Sequence, residues 1–262
     1  MRELYKRLEY RDLISETSVR LGLSIRPSGL FVWMLRCLCL LLPAFLVKAE
    51  PSQSLAQTVV QIKGTDAGGR FYFGSGVLID QEWVATNCHV VRQGGRVLVL
   101  RAGQGFKATR LKADPFKDLC LLKVPGIGSH GARLRTGVVP RPGSMVSYYG
   151  FPRALGMSYA EGRVTQVYPL MGGALIQTTA FFTLGGSGGG LFDAKGRLAG
   201  LATFLTPGHS GAYFVIPSTW VEGVRHKPEM PITPLTGKAF WEDAEGVAAF
   251  LKGQKVIKAP AP

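Results

Sequence analysis

A single serine stands among glycines in the second half of the chain. Residues 183–192 read TLGGSGGGLF and place Ser187 among five glycines within six positions. Glycine permits positive φ and close approach of another backbone, so this pattern favours a hydroxyl presented by tightly turned chain. A flexible Gly/Ser linker is the alternative. The following LFDAKGRLAGLATF places two apolar runs around a turn signal, which predicts a hairpin and therefore ordered structure.

A serine hydroxyl is a good nucleophile only when a base takes its proton, and a third group must orient that base. Of the four histidines, His89 follows an apolar strand, in WVATNCHVV. His130 and His209 lie in glycine-rich turns and His226 follows a predicted helix, as is typical of surface residues. His89 is therefore the candidate base, although a buried structural histidine has similar surroundings.

The candidate acid is Asp118, which opens the apolar run DLCLLKV. An unpaired buried carboxylate is costly, so a carboxylate at this position needs a partner such as an imidazole N–H. Asp114 is the competing acid, but it precedes Pro115 and is typical of a turn.

Short strands must position these three residues. From residue 57 the chain is a series of β-branched and aromatic runs punctuated by Gly, Asp and Pro. Closely spaced strands without intervening helices favour antiparallel barrels or a sandwich. The Gly- and Pro-rich residues 125–143 interrupt the series and are the predicted link between two β halves.

The C-terminal part follows a different pattern. STWVEGVRH, residues 218–226, predicts a short helix capped by its serine. Residues 227–262 form a Pro-containing tail around one further predicted helix, residues 238–253. The apolar residues of that helix either pack on the body of the protein or meet a partner; they are Phe240, Val247 and Phe250.

The order His89, Asp118, Ser187 occurs with TNCHVV, DPFKDLCLLKV, IQTTAFFTLGGSGGGLF and GAYFVIPS. Over residues 57–225 the chain resembles the trypsin-like serine proteases of the HtrA (Deg) type. The resemblance implies an all-β, chymotrypsin-like double β-barrel with a short C-terminal helix and tail, and a cleft between the barrels.

The same resemblance implies the roles of the site residues. His89 is the general base, Asp118 its orienting acid and Ser187 the nucleophile. The backbone N–H groups of Gly185 and Ser187 form an oxyanion hole, which explains why glycines surround the serine. HtrA-type chains usually carry a PDZ domain after the protease, and residues 227–262 are too short for one.

Two positions depart from the family pattern. Gly186 replaces the usual Asp or Asn before the serine, and Gly190 replaces a usual Pro. We therefore expect a loop that is less preorganised and that orders with substrate. Gly186 also lacks the carboxylate that trypsin-like zymogens pair with a new N-terminus, so activation by that route is not expected.

The resemblance extends to substrate selection. Phe181 takes the position at the base of the primary pocket, and Thr203, Phe204 and Leu205 the substrate-lining strand. Because Leu205 narrows the opening and no acid is nearby, we expect cleavage after small or medium apolar residues.

Cys88 directly precedes the proposed base, and Cys120 lies two positions beyond the proposed acid. If His89 and Asp118 touch, the two sulfurs are neighbours and a disulfide is possible. Two small buried apolar residues are the alternative. The spacing of Cys88, His89 and Cys120 matches no zinc pattern, so no metal and no cofactor are expected.

The one long apolar stretch, residues 30–47, predicts export. It ends in Val47-Lys48-Ala49, typical of a cleavable signal peptide, so 1–49 precede a protease domain over 50–226. The product would be periplasmic or secreted; the alternative is a span anchored in the inner membrane with the protease facing the periplasm. If translation starts at Met34, the signal peptide is compact and residues 1–33 are an upstream extension that is not part of the protein. The alternative is that residues 1–33 include a genuine amphipathic segment.

The net charge of +14 indicates adhesion to anionic surfaces but names no partner. Basic blocks are not interleaved with aromatics, so nucleic acid binding is not expected. The expected partners are protein or peptide substrates, with membrane association through 30–47; the oligomeric state stays open.

The predicted function is therefore an exported serine endopeptidase acting through a His-Asp-Ser triad and an acyl-enzyme. One alternative is a binding module that keeps the barrels without catalysis. Another is an α/β-hydrolase esterase, since Ser187 also fits G-x-S-x-G. That fold needs a helix after the serine and the order Ser, acid, His, which this sequence does not offer.

Overall fold

Two seven-stranded antiparallel sheets form most of the computed structural model, which describes residues 51–128, 130–170, 172–205 and 212–242 and the backbone of 257–258. The first sheet contains β1 (Val59–Thr65), β2 (Phe71–Leu78), β3 (Trp83–Thr86), β4 (Arg96–Arg101), β5 (Gln104–Lys107), β6 (Arg110–Asp114) and β7 (Leu119–Lys123). The second contains β8 (Met145–Gly150), β9 (Ser158–Leu170), β10 (Gly173–Thr178), β11 (Gly190–Asp193), β12 (Leu198–Leu205), β13 (Tyr213–Pro217) and β14 (Ile257–Lys258).

The helices are short. They are α1 (Pro51–Ala56), α2 (Cys88–Val91) and α3 (Trp220–Arg225), with a 3-10 turn at Pro152–Ala154. None of the helices in the described ranges is long and apolar enough to cross a membrane. The predicted export segment, residues 30–47, lies outside those ranges.

The strand order shows how the two β halves are built. The first sheet runs β5-β4-β1-β2-β3-β7-β6, and the second runs β10-β13-β12-β11-β8-β9-β14. Because β9 also pairs with β10, six strands of the second sheet close into a barrel. Residues 125–143 connect β7 to β8 and thus join the halves. These pairings confirm the predicted all-β architecture.

Alternating apolar residues give each half its own core. Ile62, Val99 and Leu122 are fully buried in the first half, and Ile176 and Leu191 in the second. A further buried cluster joins residues of both halves; it includes Val77, Leu121, Leu175, Phe192 and Ile216. Each such side chain stabilises the fold by about 1.5–3 kcal/mol, so the halves are packed firmly against each other.

Two local predictions about the C-terminal part are wrong. Ser218 does not cap α3, because its hydroxyl donates to the carbonyl of Arg135 at 3.2 Å and Thr219 occupies the cap position. The predicted helix does not begin at residue 238, because residues 238–239 have no regular secondary structure and residues 240–242 form a turn and a bend. The rest of that predicted helix, with Val247 and Phe250, lies outside the described residues.

The predicted hairpin after Ser187 is present as β11 and β12, and Asp193 closes its turn. The Asp193 carboxylate accepts from Arg135 at 2.6 Å, from the Arg197 side chain at 2.9 Å and from the backbone N–H of Lys195 at 2.9 Å. Burial alone would raise the pKa of Asp193, but its hydrogen bonds to Arg197 and Arg135 more than offset this, so the pKa is lowered.

Asp193→Asn should lower the free energy of unfolding by about 1–3 kcal/mol at neutral pH, because the partly buried Arg135 and Arg197 lose a charged acceptor. A depressed carboxyl pKa stabilises the folded state above the unfolded pKa of about 3.9, and this contribution is lost as the pH falls through the lower folded value. In urea unfolding, the free energies of unfolding of the wild type and of Asp193→Asn should therefore converge as the pH is lowered. Glu229→Gln, which removes an exposed pair with Lys123, is the control and should cost under about 1 kcal/mol. A difference that persists in acid would contradict this account.

Candidate active site

A histidine and an aspartate meet at one edge of the first sheet. His89 lies in the single turn α2 directly after β3, and Asp118 ends the turn that leads into β7. β3 and β7 pair with Thr86 opposite Cys120, which brings the two turns together. The ring Nδ1 of His89 lies 2.7 Å from Oδ2 of Asp118, and the backbone N–H of His89 donates to Oδ1 at 2.8 Å.

The carboxylate of Asp118 is completely buried, and every partner it has is an N–H donor. Besides His89, the indole N–H of Trp241 donates to Oδ2 at 3.0 Å. The carbonyl of Asp118 accepts from the side chain of Asn87 at 3.1 Å. With φ of 56°, Asp118 takes a backbone conformation uncommon for a residue other than glycine, and these bonds hold it there.

Ser187 lies on the loop between β10 and β11 and is linked to the turn of His89 through Thr203, with no hydrogen bond between the Ser187 hydroxyl and the His89 ring among the described residues. Its hydroxyl donates to the carbonyl of Thr203 at 3.2 Å, while Asn87, two residues before the histidine, donates to the hydroxyl of Thr203 at 3.1 Å. Ser187 is half-buried and the side chain of His89 is 22% exposed, so both are open to an incoming molecule.

The loop around the serine is tied to the first sheet by Ser75 of β2. The backbone N–H of Ser75 donates to the carbonyl of Ser187 at 2.8 Å, and its hydroxyl donates to the carbonyl of Gly185 at 3.0 Å. A Cβ on Gly188 would lie 2.0 Å from the carbonyl oxygen of Ser75, and φ there is 83°. Glycine is therefore required where the two halves touch.

The turn before the serine presents backbone N–H groups. The N–H of Gly186 donates to the carbonyl of Thr183 at 2.8 Å, and Gly185 has φ of 84°, which together define a type II turn. The backbone N–H of Arg153 donates to the carbonyl of Leu184 at 2.9 Å. Because a trans peptide points its N–H away from its carbonyl, the N–H of Gly185 faces the opposite side.

Within the described chain, the N–H groups of Gly185 and Ser187 find no hydrogen-bond acceptor. A buried or half-buried N–H without a partner is costly, and such groups commonly await a ligand. Two unpaired N–H groups beside one hydroxyl can receive a developing oxyanion.

Comparison with known proteins agrees with this geometry. The family described as trypsin-like peptidase domain matches residues 74–201. The periplasmic serine endoprotease DegP of Escherichia coli (strain K12) is 32% identical over 178 residues, which cover 62% of this chain and 38% of DegP. The chain thus spans well under two thirds of that relative's length.

Solved structures share the fold. A protease from M. tuberculosis in its active form matches with a TM-score of 0.65 at 23% identity, covering 72% of this chain and 88% of that one. The HtrA-type protease AlgW with a tripeptide matches with a TM-score of 0.60 at 25% identity, covering 67% and 62%. The chain carries an HtrA-type serine protease domain. Its fold is the predicted chymotrypsin-like double β-barrel.

The glycine before the serine of the protease domain has a local explanation. A Cβ on Gly186 would lie 2.5 Å from the hydroxyl of Tyr148, which donates to the carbonyl of Gly186 at 3.1 Å. Burial raises the pKa of Tyr148, so its phenol stays a neutral donor. At Gly190, the ring of Phe192 fills the space of a side chain, 2.5 Å from a Cβ. These contacts restrain the loop at Gly186 and Gly190.

The predicted substrate residues differ in exposure. Thr203 and Phe204 are buried, whereas Leu205 is 43% exposed. Phe181 is 55% exposed and contacts Tyr213 edge-on at 5.4 Å. The Phe181 ring offers an open apolar surface, and its placement at the base of the primary pocket stays a prediction.

The two cysteines of the protease domain, Cys88 and Cys120, form a disulfide with Cα atoms 4.9 Å apart. The bond joins the turn of His89 to the strand of Asp118 and leaves neither sulfur free for a metal. Among the described residues, no group of three or more His, Cys, Asp or Glu side chains is arranged to hold a metal ion.

Removing this disulfide should lower the free energy of unfolding by roughly 4 kcal/mol, because it closes a loop with a sequence separation of 32 residues. Urea unfolding of the double variant Cys88→Ala, Cys120→Ala against the oxidised protein measures this. The two should unfold alike when reductant is present. Mass mapping that finds two free thiols in the native protein would contradict the bond.

Sequence reasoning missed three positions of the site: Ser75, Arg153 and Trp241. Ser75 stands between Gly74 and Gly76, a signal of close backbone approach that could have been used. Arg153 contributes only its backbone N–H, and Trp241 reaches Asp118 from 123 residues away. No local pattern reveals either contact.

Proposed function

We propose that this protein is a serine endopeptidase in which His89, Asp118 and Ser187 act as the triad, with Gly185 and Ser187 as the oxyanion hole. The observation that carries the proposal is the 2.7 Å contact between His89 and the buried Asp118, with two unpaired N–H groups beside the Ser187 hydroxyl. A fixed imidazole, a nucleophile and an oxyanion site are the parts that acyl transfer needs.

The mechanism follows from the roles of these atoms. The Ser187 hydroxyl leaves the Thr203 carbonyl, gives its proton to Nε2 of His89, and Oγ forms a bond to the substrate carbonyl carbon. Negative charge collects on the substrate oxygen between the N–H groups of Gly185 and Ser187. The imidazolium then protonates the leaving amine as the C–N bond breaks. Water then takes the place of the amine: His89 accepts its proton, its oxygen bonds to the acyl carbon, and the proton passes to Oγ of Ser187 as the ester bond breaks.

Labelling with a fluorophosphonate tests the proposal, since this probe reacts only with an activated serine. The folded protein should label, and Ser187→Ala should not. The control is Ser147→Ala, which alters a serine of β8 and should label as the wild type does. Folded protein that does not label would favour the binding module, because the Ser187 hydroxyl would then stay on Thr203.

We expect cleavage after small or medium apolar residues. Phe181 and Leu205 expose apolar surface, and Tyr213 lies against Phe181. A peptide library read by mass spectrometry measures the preference, and Phe181→Asp should move it toward Lys and Arg by adding a carboxylate. A wild-type preference for basic residues would contradict this prediction.

Export is proposed on the sequence of residues 30–47 and on the similarity to a periplasmic relative. A disulfide at the site suits an oxidising compartment. N-terminal sequencing of the native protein should find a start near residue 50. A native peptide from within residues 1–33 would contradict the start at Met34.

A further inference from the structure

Residues 227–242 fold back along the first half of the protein. Met230 exchanges two backbone hydrogen bonds with Leu111 of β6, at 2.9 and 2.8 Å. Further along, the N–H of Leu235 donates to the carbonyl of Arg92 at 2.9 Å. The apolar side chains of this segment pack on the core of the first half; they are Met230, Ile232 and Leu235. The segment is thus a structural part of the first half rather than a loose tail.

The segment ends at the triad. The N–H of Phe240 donates to the carbonyl of Phe116, two residues before Asp118, at 3.0 Å. Trp241 follows, and its ring stacks on Phe204 of β12 at 5.0 Å with an interplanar angle of 12°. The same ring meets His89 edge-on at 5.3 Å. The indole therefore contacts both halves of the protein and the proposed base.

Two donors converge on one oxygen of Asp118. Oδ2 accepts from Nδ1 of His89 at 2.7 Å and from the indole N–H of Trp241 at 3.0 Å. A buried carboxylate is stabilised in its charged form only by such donors. The nearby hydroxyl of Thr203 cannot supply one, because it donates to the carbonyl of Leu201 at 2.8 Å.

Glu242 holds the turn that carries the indole. Its carboxylate pairs with Arg92 at 2.5 Å and accepts the N–H of Ala239 at 2.9 Å. Burial alone would raise the pKa of Glu242, but Arg92, the Ala239 N–H and the charge of protonated His89 more than offset this, so the pKa is lowered. Glu242 is therefore ionised at neutral pH, and the turn keeps its shape there.

We propose that Trp241 is a positioning residue of the active site, which fixes Oδ2 of Asp118 so that the carboxylate holds Nδ1 of His89 in the productive orientation. This inference rests on the proposed function. It makes the C-terminal segment, which lies beyond the part of the chain matched by the trypsin-like domain family, necessary for full activity.

The test compares Trp241→Phe with Trp220→Phe. Phenylalanine at 241 keeps an aromatic ring on Phe204 but removes the N–H, so kcat should fall about tenfold with KM unchanged, as expected for loss of one charged hydrogen bond that acts on the base. Trp220 is the matched control, because its indole nitrogen is buried without a hydrogen-bond partner among the described residues. Trp220→Phe should keep kcat within about twofold.

A spectroscopic measurement reads the contact without turnover. In ¹⁵N-labelled protein, the indole N–H resonance lost in Trp241→Phe should move upfield in Asp118→Asn, where a neutral amide replaces the carboxylate, and the Trp220 resonance should stay in place. Should Trp241→Phe not fold, Trp33→Phe, Trp83→Phe and Trp220→Phe assign the other three indole signals, and Trp241 is the one that remains.

Unchanged kcat in folded Trp241→Phe, or an indole resonance that ignores Asp118→Asn, would overturn the inference. Failure of the proposed function gives a different result, since wild-type protein would then show no labelling that depends on Ser187, whatever the state of the indole.

Discussion

Replacing Ser187 with alanine is expected to lower kcat by roughly 10⁵–10⁶, the largest effect of any single change in this protein. The hydroxyl supplies the atom that bonds to the substrate, and the N–H groups of Gly185 and Ser187 have no acceptor within the described chain. His89→Ala should cost about as much, because an unassisted hydroxyl is a weak nucleophile. Steady-state kinetics on a peptide chosen from the library measures both.

The double variant His89→Ala, Ser187→Ala shows whether the two residues act as one unit or contribute independently to kcat. If His89 acts only by activating Ser187, the double variant should be no slower than Ser187→Ala alone. His226→Ala is the matched control, since that histidine is 77% exposed and pairs with Glu222 on the surface. Ser187→Ala that still hydrolyses the peptide at a wild-type rate, or losses that multiply in the double variant, would contradict the triad.

The strands were predictable from local sequence. The short apolar runs of β1 and β12 and the turn signal at Asp193 each extend over a few positions, so they are visible in the local sequence. His89, Asp118 and Ser187 were found because each residue type stood in an unusual setting and because the motifs resemble a known family. Their roles as base, acid and nucleophile were assigned from the family resemblance and not from spacing alone.

The missed features depend on contacts between distant positions. Ser75 reaches Gly185 across 110 residues and Trp241 reaches Asp118 across 123, and such contacts exist only once the strands have paired. The sequence of residues 238–253 predicted a helix, yet packing of Trp241 against Phe204 favours a turn at its beginning. Tertiary contacts overrode local propensity.

A tertiary contact also explains why glycine replaces the usual Asp or Asn before the serine. A carboxylate or amide before the serine would meet the Tyr148 hydroxyl, which already holds the carbonyl of Gly186. Tyr148 of β8 thus holds the serine loop through its hydrogen bond to the Gly186 carbonyl. The sequence pattern shows that the usual side chain at position 186 is missing, but it does not show the contact from Tyr148.

The second large effect is expected at Gly185. In Gly185→Ala the new Cβ would lie 2.5 Å from the backbone nitrogen of Arg153, at a φ of 84° that disfavours a side chain. A type I turn accepts alanine at this position but rotates the peptide between residues 184 and 185. The N–H would then leave the oxyanion site and the carbonyl would enter it. Loss of one such donor should lower kcat by about 10²–10³, with KM little changed.

Gly103→Ala is the control that isolates the peptide rotation from backbone strain. Gly103 has a similar φ of 79°, and a Cβ there would meet nothing within 4 Å. Gly103→Ala should lose on the order of 1–2 kcal/mol of stability, since it forces alanine into left-handed backbone. Gly185→Ala should lose at least as much, because the rotated peptide also gives up the hydrogen bond from the Arg153 N–H to the Leu184 carbonyl. Only Gly185→Ala should lose turnover and fluorophosphonate labelling rate. Equal rates in the two folded variants would show that the Gly185 N–H does not receive the oxyanion, and the oxyanion hole would have to be sought elsewhere.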